Sequence, residues 1–402
     1  MFVKEVRPRF IKDSRREKTI SITLHTYHGT FTASAPSGKS TGAHEVGAYS
    51  KKGKAHSMKN LRHFCRLIKS KNFFIRKLED LKKLKDLIER FERRFGLLGG
   101  NITYVLESVF LKAAAAEENK ELWRLIRDST DLEKKSKMPM PIGNCIGGGL
   151  HTTGIRGKKP DFQEFLLIPK EKSFRHATTV NIRAYEYARK LLKSKKKTDE
   201  SAWNTKKTNE ETLEILKKVA EKYKLRIGLD IAASSFFQRN YYEYKNKSLT
   251  RDRLDQIDYI ERLIRKFGIF YVEDPMDEED FLGFKQILST TKDYRTKSLI
   301  VGDDLTTTNV GRLSRAIRSK SINAIIVKPN QIGSLLEVAK VVKLAKKHGL
   351  KIIFSHRSGE TMDPALADYA VGFGADFIKM GIMGKERLIK HKRLIDIERS
   401  LN

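Results

Sequence analysis

Ionisable residues end a series of short apolar runs in the second half of this 402-residue sequence. The last residues of these six runs are Asp230, Glu273, Asp303, Lys328, His356 and Lys379. A single charged residue that ends a strand is usually structural, whereas six in one series indicate a shared site. The carboxylates of Asp230, Glu273 and Asp303 supply hard oxygen ligands, and this set favours Mg²⁺ or Mn²⁺ over zinc.

The two lysines of the series, Lys328 and Lys379, suggest proton transfer beside such a metal. An unperturbed lysine has a pKa near 10.4, which makes it a poor base at neutral pH. An adjacent divalent cation disfavours the ammonium form and lowers that pKa. A substrate carboxylate held by the cations would have an acidified α-proton, and its enediolate would be stabilised as it forms. The residues alone therefore predict a generic proton-abstracting site.

The elements that carry these residues alternate between apolar strands and amphipathic helices such as the one predicted at 335–348. Such alternation is typical of a parallel sheet that helices cover on its faces. We expect a β/α barrel, because the C-terminal ends of barrel strands converge on one site. The predicted catalytic domain covers residues 136–402, and a polar loop or lid is predicted at 193–209.

Residues 1–135 are predicted to form a separate α+β capping domain. Period-two alternation indicates strands at 19–24 and 29–33, and helical periodicity indicates helices within 57–95 and 102–126. Between the strands and the helices lies a loop of small residues at 36–42, which must be flexible or closely approached by a ligand.

The composition describes a globular chain with an unusual charge. Hydrophobic residues make up 39% and charged residues 32%, and the formal net charge is +32. Such a charge attracts nucleic acid and other anions, but it does not specify a fold. The RNP, zinc-knuckle and helix-turn-helix patterns are missing. A lysine-rich solvated surface is the favoured interpretation, and non-specific nucleic-acid binding stays open.

The location is predicted from three further features. The N-terminal residues lack the apolar core of a secretory signal, and no apolar run approaches the roughly 20 residues that span a bilayer. Only two cysteines occur, Cys65 and Cys145, which fits a reducing compartment. We therefore expect a cytoplasmic protein without a membrane span.

Seven strings along the chain resemble those of the enolase (phosphopyruvate hydratase) family, in the same order. The strings are 35–42, 148–151 with 163–165, 229–234, 272–275, 302–306, 328–333 and 355–361. One string alone is weak, but seven in order are specific. The resemblance, to archaeal-type or divergent members, implies an enolase-type barrel with its N-terminal cap. It also implies a lyase that dehydrates 2-phosphoglycerate to phosphoenolpyruvate in glycolysis and gluconeogenesis, with two Mg²⁺ ions per active site.

The resemblance also implies a role for each matched residue. The metal-binding residues would be Asp230, Glu273, Asp303 and Ser40. The catalytic residues would be the base Lys328, the acid Glu200, its partner Glu164, and His151. The substrate-binding residues would be Gln163 and Lys379 for the carboxylate, Arg357 and Ser358 for the phosphate, and His356, which closes over the substrate with His151.

Several regions depart from the family pattern, among them the loop around Glu200 and the segments of the family's dimer contact. The family usually has glycines on both sides of the catalytic acid, whereas Thr198 precedes Glu200 here and Ser201 follows it. Less backbone freedom there would alter the placement of the acid. A homodimer is implied as well, but residues 46–49 and the C-terminus, which touch the family's dimer contact, also differ.

Two alternatives remain open. One is a divergent enolase-like protein with reduced or lost activity that acts as a basic nucleic-acid- or surface-binding module. The other is an acid-sugar dehydratase or racemase of the same superfamily. Those enzymes commonly place a Lys-x-Lys pair on an early barrel strand, and none occurs in a strand-like context before Asp230.

Overall fold

The computed structural model describes residues 1–39, 42–130, 137–152, 157–246, 249–291 and 297–401. The N-terminal elements are β1 (Glu5–Lys12), β2 (Lys18–Thr26), β3 (Gly29–Ser34), α1 (Lys54–Ile68), α2 (Leu81–Phe95), α3 (Gly100–Glu117) and α4 (Leu122–Asp128). The three strands form an antiparallel sheet in the order β1-β2-β3. Alternate residues of β2, namely Ile20, Ile22 and Leu24, are fully buried beneath the helices. The α+β character predicted for this part of the chain is confirmed.

The remaining strands are β4 (Met140–Gly147), β5 (Glu164–Ile168), β6 (Trp203–Asn204), β7 (Arg226–Asp230), β8 (Phe237–Gln238), β9 (Tyr241–Tyr244), β10 (Leu249–Arg251), β11 (Ile269–Glu273), β12 (Leu299–Gly302), β13 (Ala324–Val327), β14 (Lys351–Ser355) and β15 (Phe377–Lys379). The helices are α5 (Phe174–Leu192), α6 (Asn209–Tyr223), α7 (Arg253–Phe267), α8 (Phe281–Thr291), α9 (Val310–Arg318), α10 (Pro329–Ile332), α11 (Leu335–Lys347), α12 (Ala365–Gly372) and α13 (Lys385–Leu401).

Eight of the described strands close into a barrel. Their order is β4-β5-β7-β11-β12-β13-β14-β15, and the last strand pairs with the first through Phe377–Met140 and its neighbours. Short β6 adds to β4 outside this ring, and β8, β9 and β10 form a small separate sheet. The predicted β/α barrel is therefore confirmed. The boundary predicted between residues 135 and 136 lies outside the described residues, so that division of the chain stays a prediction.

Alternation along the strands separates an inner from an outer apolar layer. In β13, Ala324 and Ile326 belong to the small cluster inside the barrel, whereas Ile325 and Val327 pack in the large cluster shared with the helices. Because side chains alternate between the two faces of a strand, the next residue, Lys328, continues the inner series at the barrel mouth. The apolar runs therefore position their terminal charges at one rim.

One strand contradicts the expectation of an all-parallel sheet. Strand β5 runs antiparallel to both of its neighbours, β4 and β7, and its first residue, Glu164, pairs in register with Asp230. Its rim residues, Gln163 and Glu164, therefore come before the apolar run rather than after it. The pattern of an apolar run followed by a charged residue therefore does not identify this strand.

The contact between the N-terminal helices and the barrel includes a buried carboxylate. Glu107, on α3, is fully buried and accepts hydrogen bonds from Ser334 Oγ, at 3.0 Å, and from the backbone N–H of Leu335. These donors lie at the start of α11, where the helix dipole favours a negative charge. Burial nevertheless raises the pKa of Glu107 to about 7. The carboxylate therefore caps a barrel helix from the other domain.

Replacement of Glu107 by alanine is expected to destabilise the protein by about 3 kcal/mol, because it leaves two buried donors without an acceptor. Urea unfolding followed by circular dichroism measures the change. The matched control is Glu89→Ala on α2, where the side chain is exposed, and it should shift stability by less than about 0.5 kcal/mol. Equal effects of the two variants would contradict the capping role of Glu107.

Candidate active site

Lys379, the last residue of β15, lies at the centre of the rim. Its Nζ is 2.8 Å from Asp230 Oδ2, 2.8 Å from Glu273 Oε2 and 2.9 Å from Glu164 Oε2. Burial alone would lower the pKa of Lys379, but these three carboxylates outweigh it and raise the pKa well above its ordinary value. The buried ammonium is therefore charged, and it contacts carboxylates from three other strands, β5, β7 and β11.

The predicted metal ligands Asp230, Glu273 and Asp303 come from the three neighbouring strand positions β7, β11 and β12. Glu273 is fully buried, and its Oε1 has no hydrogen-bond partner among the described residues. Burial and the nearby Asp230 charge raise the pKa of Glu273 well above its ordinary value. A buried acceptor without a donor is costly, and a hard cation would satisfy it. The residues present therefore fit a divalent cation.

A second acidic group shares Asp303. Single oxygens of Asp274, Asp303 and Asp304 lie within 4.8 Å of one another. The Asp274 carboxylate accepts the backbone N–H groups of Asp303, at 3.0 Å, and Asp304, at 2.7 Å, so it also shapes the turn after β12. Burial and Asp303 raise the pKa of Asp304 to about 8. Sequence reasoning assigned no role to Asp274 or Asp304, although both stand in the family strings. The fourth predicted metal ligand, Ser40, lies outside the described residues.

Lys328, the predicted base, follows β13, and its Nζ pairs with Asp303 Oδ2. Burial would lower the pKa of Lys328, but the Asp303 carboxylate outweighs it and raises that pKa above its ordinary value. Lys328 is therefore an ammonium in this arrangement. It can accept a proton only when another cation neutralises the charge of Asp303.

A second group of titratable residues lies on the other side of Lys379. Glu200 is buried and accepts a hydrogen bond from Asn144 Nδ2 at 3.2 Å. His151 Nδ1 lies 3.5 Å from Glu164 Oε1 and 3.7 Å from Glu200 Oε1, and His356 Nε2 lies 3.6 Å from Glu200 Oε2. Single ligand atoms of His151, Glu164 and Glu200 also lie within 4.8 Å of one another. The predicted partnership of the two glutamates is therefore matched by their positions, whereas Asn144 was missed.

Burial sets the protonation of this group. It raises the pKa of Glu164 to about 7, with Lys379 opposing the shift and Glu200 adding to it. Glu164 therefore holds a proton for part of the time near neutral pH. Burial also lowers the pKa values of His151 and His356, so both imidazoles are neutral there.

The loop around Glu200 accommodates the departures from the family pattern. Thr198 Oγ1 accepts the backbone N–H groups of Glu200, at 3.3 Å, and Ala202, at 3.2 Å. Room for Thr198 comes from Gly147, since a Cβ at that glycine would overlap Thr198 Cγ2. Ser201 adopts a left-handed φ of 64°, which a glycine adopts without strain. The threonine therefore orders the loop and fixes the position of the acid.

The predicted phosphate-binding pair, Arg357 and Ser358, follows β14. The guanidinium of Arg357 binds both oxygens of Glu45, each at 3.0 Å. Ser358 Oγ accepts the backbone N–H of Lys39 at 2.8 Å and Arg15 Nη1 at 3.0 Å. Because the Ser358 oxygen already accepts two hydrogen bonds, its O–H group can donate a hydrogen bond to an anion. Sequence reasoning assigned no role to Glu45 or Arg15.

One cavity collects eleven of the thirteen predicted site residues. They are His151, Gln163, Glu164, Glu200, Asp230, Asp303, Lys328, His356, Arg357, Ser358 and Lys379. Gln163 Nε2 also reaches Asp230 Oδ2 at 3.3 Å. Of the other two, Glu273 lies fully buried beneath the cavity, and Ser40 lies outside the described part of the chain. The structure therefore brings together all predicted site residues that it describes.

A capped β/α barrel with carboxylates and two lysines at its strand ends is the arrangement expected of the class of barrel enzymes that abstract protons with the help of hard cations. Residues 3–126 match the family model of the enolase N-terminal domain, and residues 135–402 match that of the enolase C-terminal TIM barrel domain. The ligand atoms of the Asp274, Asp303 and Asp304 group, and those of the His151, Glu164 and Glu200 group, lie close enough together to bind a metal ion. None of the described helices combines the length and apolar character needed to cross a membrane.

Similar proteins agree with these matches. The chain is 37% identical to the enolase of Picrophilus torridus over 412 residues, which covers 99% of each chain. It is 35% identical to the enolases of Thermoplasma acidophilum and Methanosphaera stadtmanae, again over 99% of this chain and 98% and 97% of theirs. The chain therefore belongs to the enolase family, the phosphopyruvate hydratases, and is a lyase.

Magnesium is expected to stabilise the metal-free protein, by about 2.7 kcal/mol at one hundred times its dissociation constant. The stabilisation should disappear in Glu273→Gln, because that substitution removes a negative charge from the buried group. Thermal unfolding with and without Mg²⁺, after treatment with EDTA, measures it. Glu243→Gln, at an exposed position of β9, should respond as the wild type does. Stabilisation of Glu273→Gln equal to that of the wild type would contradict the assignment.

Proposed function

We propose that the cavity at the barrel mouth converts 2-phosphoglycerate to phosphoenolpyruvate and water, the step shared by glycolysis and gluconeogenesis. One observation carries the assignment of its catalytic groups: Lys328 and two neighbouring carboxyl groups, of which Glu164 has a raised pKa, line the same cavity. Lys328 follows β13, whereas Glu200 accepts a hydrogen bond from Asn144 of β4. Two strands separate β13 and β4 on one side of the barrel and four on the other. The two groups therefore approach a substrate from different directions.

Lys328 is the base that removes the C2 proton. Its ammonium is the resting form, held by Asp303, and deprotonation requires that the charge of Asp303 be neutralised. Asp230, Glu273 and Asp303 would hold one Mg²⁺ ion, and Ser40 would contribute to a second. Bound Mg²⁺ supplies the positive charge that polarises the substrate carboxylate and stabilises the enediolate. Lys379 and Gln163 bind the same carboxylate from the protein side.

Glu200 is the acid that protonates the departing 3-hydroxyl group. The neighbouring Glu164, whose pKa burial raises to about 7, holds a proton near neutral pH that can pass to Glu200. His151 lies near Oε1 of Glu200, and His356 lies near Oε2. Both imidazoles are neutral, so they position the carboxyl group without placing a positive charge beside it. Loss of water then leaves the double bond of phosphoenolpyruvate.

Arg357 and Ser358 bind the phosphate. A planar guanidinium can bind two phosphate oxygens at once, but here Glu45 occupies that fork. Glu45 follows the small-residue loop at 36–42, and its Oε1 also accepts the backbone N–H of Gly42 at 3.2 Å. Phosphate binding must therefore displace Glu45 or share Arg357 with it, which couples the substrate to this loop.

The remaining partners stay predictions. A homodimer is expected from family membership, whereas non-specific nucleic-acid binding, which the net charge of +32 would favour, stays an open alternative. Retention of RNA that falls steeply with salt and resists competition by substrate would support the latter. A cytoplasmic location likewise stays a prediction.

Lys328→Ala is expected to lower kcat for 2-phosphoglycerate by about 10²–10⁴-fold, the usual contribution of a general base. The ultraviolet absorbance of phosphoenolpyruvate measures turnover in the presence of Mg²⁺. Lys340→Ala, on the exposed side of α11, should match the wild type. A wild-type protein without turnover would contradict the proposed function, and a Lys328→Ala variant with wild-type turnover would contradict the role of the base.

Glu200→Gln is expected to separate the two steps, because it leaves Lys328 intact. In D₂O the variant should still exchange the C2 hydrogen for deuterium, while kcat for dehydration falls by about 10²–10⁴-fold. Proton NMR of the recovered 2-phosphoglycerate measures exchange. The control is Glu210→Gln on α6, an exposed position. Loss of exchange together with dehydration would show that Glu200 is not a dedicated acid for the hydroxyl group.

A further inference from the structure

Tyr271 lies inside the barrel and makes a contact that neither the motifs nor the reaction explains. It is fully buried on β11, two residues before Glu273, so both side chains are on the inner face of the strand. Its Oη donates a hydrogen bond to Glu273 Oε2 at 2.6 Å. The Tyr271 hydroxyl group, at the level of the apolar cluster inside the barrel, therefore contacts the Glu273 carboxylate at the rim.

The surroundings make this contact specific. The apolar cluster inside the barrel consists of Ile142, Leu166, Ile168, Tyr271, Leu299, Val301, Ala324, Ile326, Ile353 and Phe377. Of these ten described residues, Tyr271 is the only one with a polar side-chain group. A hydroxyl group in such a layer must find an acceptor, because leaving it unpaired is costly. Glu273 is the acceptor of the Tyr271 hydroxyl group.

The neighbouring strand makes room for the tyrosine. Gly228, on β7, pairs in register with Tyr271. A Cβ at Gly228 would lie 3.2 Å from Tyr271 Cβ and 3.2 Å from Leu166 Cβ, tighter than ordinary packing. The absence of a side chain at Gly228 therefore leaves room for Tyr271 to pack against this strand.

The two oxygens of Glu273 are unequal as a result. Oε2 accepts both the Tyr271 hydroxyl group and the Lys379 ammonium, whereas Oε1 is buried without a hydrogen-bond partner among the described residues. We propose that Tyr271 is a positioning residue that fixes the Glu273 carboxylate so that Oε1 faces the divalent cation. This inference rests on the metal site of the proposed function.

The hydroxyl group acts on the cation through the carboxylate. With Tyr271 and Lys379 on Oε2, rotation of the carboxylate would break two hydrogen bonds. Without the hydroxyl group, Lys379 alone remains, and it is shared with Asp230 and Glu164. Residues that orient a metal ligand in this way typically contribute about 10–100-fold to metal affinity.

The test compares Mg²⁺ dissociation constants of the wild type, Tyr271→Phe and Tyr244→Phe by isothermal titration calorimetry. Tyr244 is a matched control, since it is also buried and donates its hydroxyl group to Gln256 Oε1 at 2.7 Å, away from the site. We expect the constant to rise about tenfold or more in Tyr271→Phe and to stay within about twofold in Tyr244→Phe. Manganese titration followed by electron paramagnetic resonance should show the same order.

A second variant perturbs the contact without removing the hydroxyl group. Gly228→Ala pushes Tyr271 away from its position, so it should also weaken Mg²⁺ binding. Thermal unfolding of the metal-free proteins identifies any general loss of stability, which a purely structural tyrosine would cause without changing the dissociation constant. If Tyr271→Phe and Gly228→Ala bind Mg²⁺ as the wild type does, the inference about Tyr271 is wrong and the metal site stands. If the wild type itself does not bind Mg²⁺, the metal assignment fails and the inference fails with it.

Discussion

The buried ammonium of Lys379 is the interaction on which the barrel rim depends. It contacts Glu164, Asp230 and Glu273 within 2.9 Å, and all four side chains are almost inaccessible to solvent. With Asp303 and Lys328, the rim holds four carboxylates and two ammonium groups in a low-dielectric setting. Such an excess of negative charge must be relieved by protonation or by a cation. The raised pKa values of Glu164 and Glu273 reflect the first route, and the proposed magnesium binding would use the second.

Closure of the barrel is what makes this contact possible. Lys379 comes from the last strand and Asp230 from a strand 149 residues earlier, and the pairing of β15 with β4 brings both to one mouth. The antiparallel strand β5 adds Glu164 from its first residue. The proposed base and the proposed acid then have different supports, because Lys328 follows a barrel strand whereas Glu200 lies on a loop that Thr198 orders. In the proposed reaction, proton abstraction would therefore depend on the barrel strands, and departure of the hydroxyl group would depend on the hydrogen bonds within the Glu200 loop.

The sequence predicts the parallel part of this frame closely, since an apolar run that ends on a charge marks both a strand and its rim end. Asp230 and Glu273 each end a strand, and Lys328 follows one directly. Strand direction is not encoded in such a run, so Gln163 and Glu164 could be assigned only through the family resemblance. The sequence also does not predict long-range hydrogen-bond partners. In the sequence, Tyr271 resembles any core aromatic residue and Glu45 resembles a surface charge. Only the fold shows that Tyr271 binds Glu273 and that Glu45 binds Arg357. These contacts depend on the register between strands, which one sequence does not specify.

The central claim is that the strand-end carboxylates, and not the neighbouring turn, hold the first divalent cation. Anomalous diffraction from crystals loaded with Mn²⁺ tests it most directly, because manganese scatters anomalously and replaces Mg²⁺ at oxygen sites. We expect a peak about 2.1 Å from carboxylate oxygens of Asp230, Glu273 and Asp303. A peak held by Asp274, Asp303 and Asp304, with Glu273 uncoordinated, would contradict it.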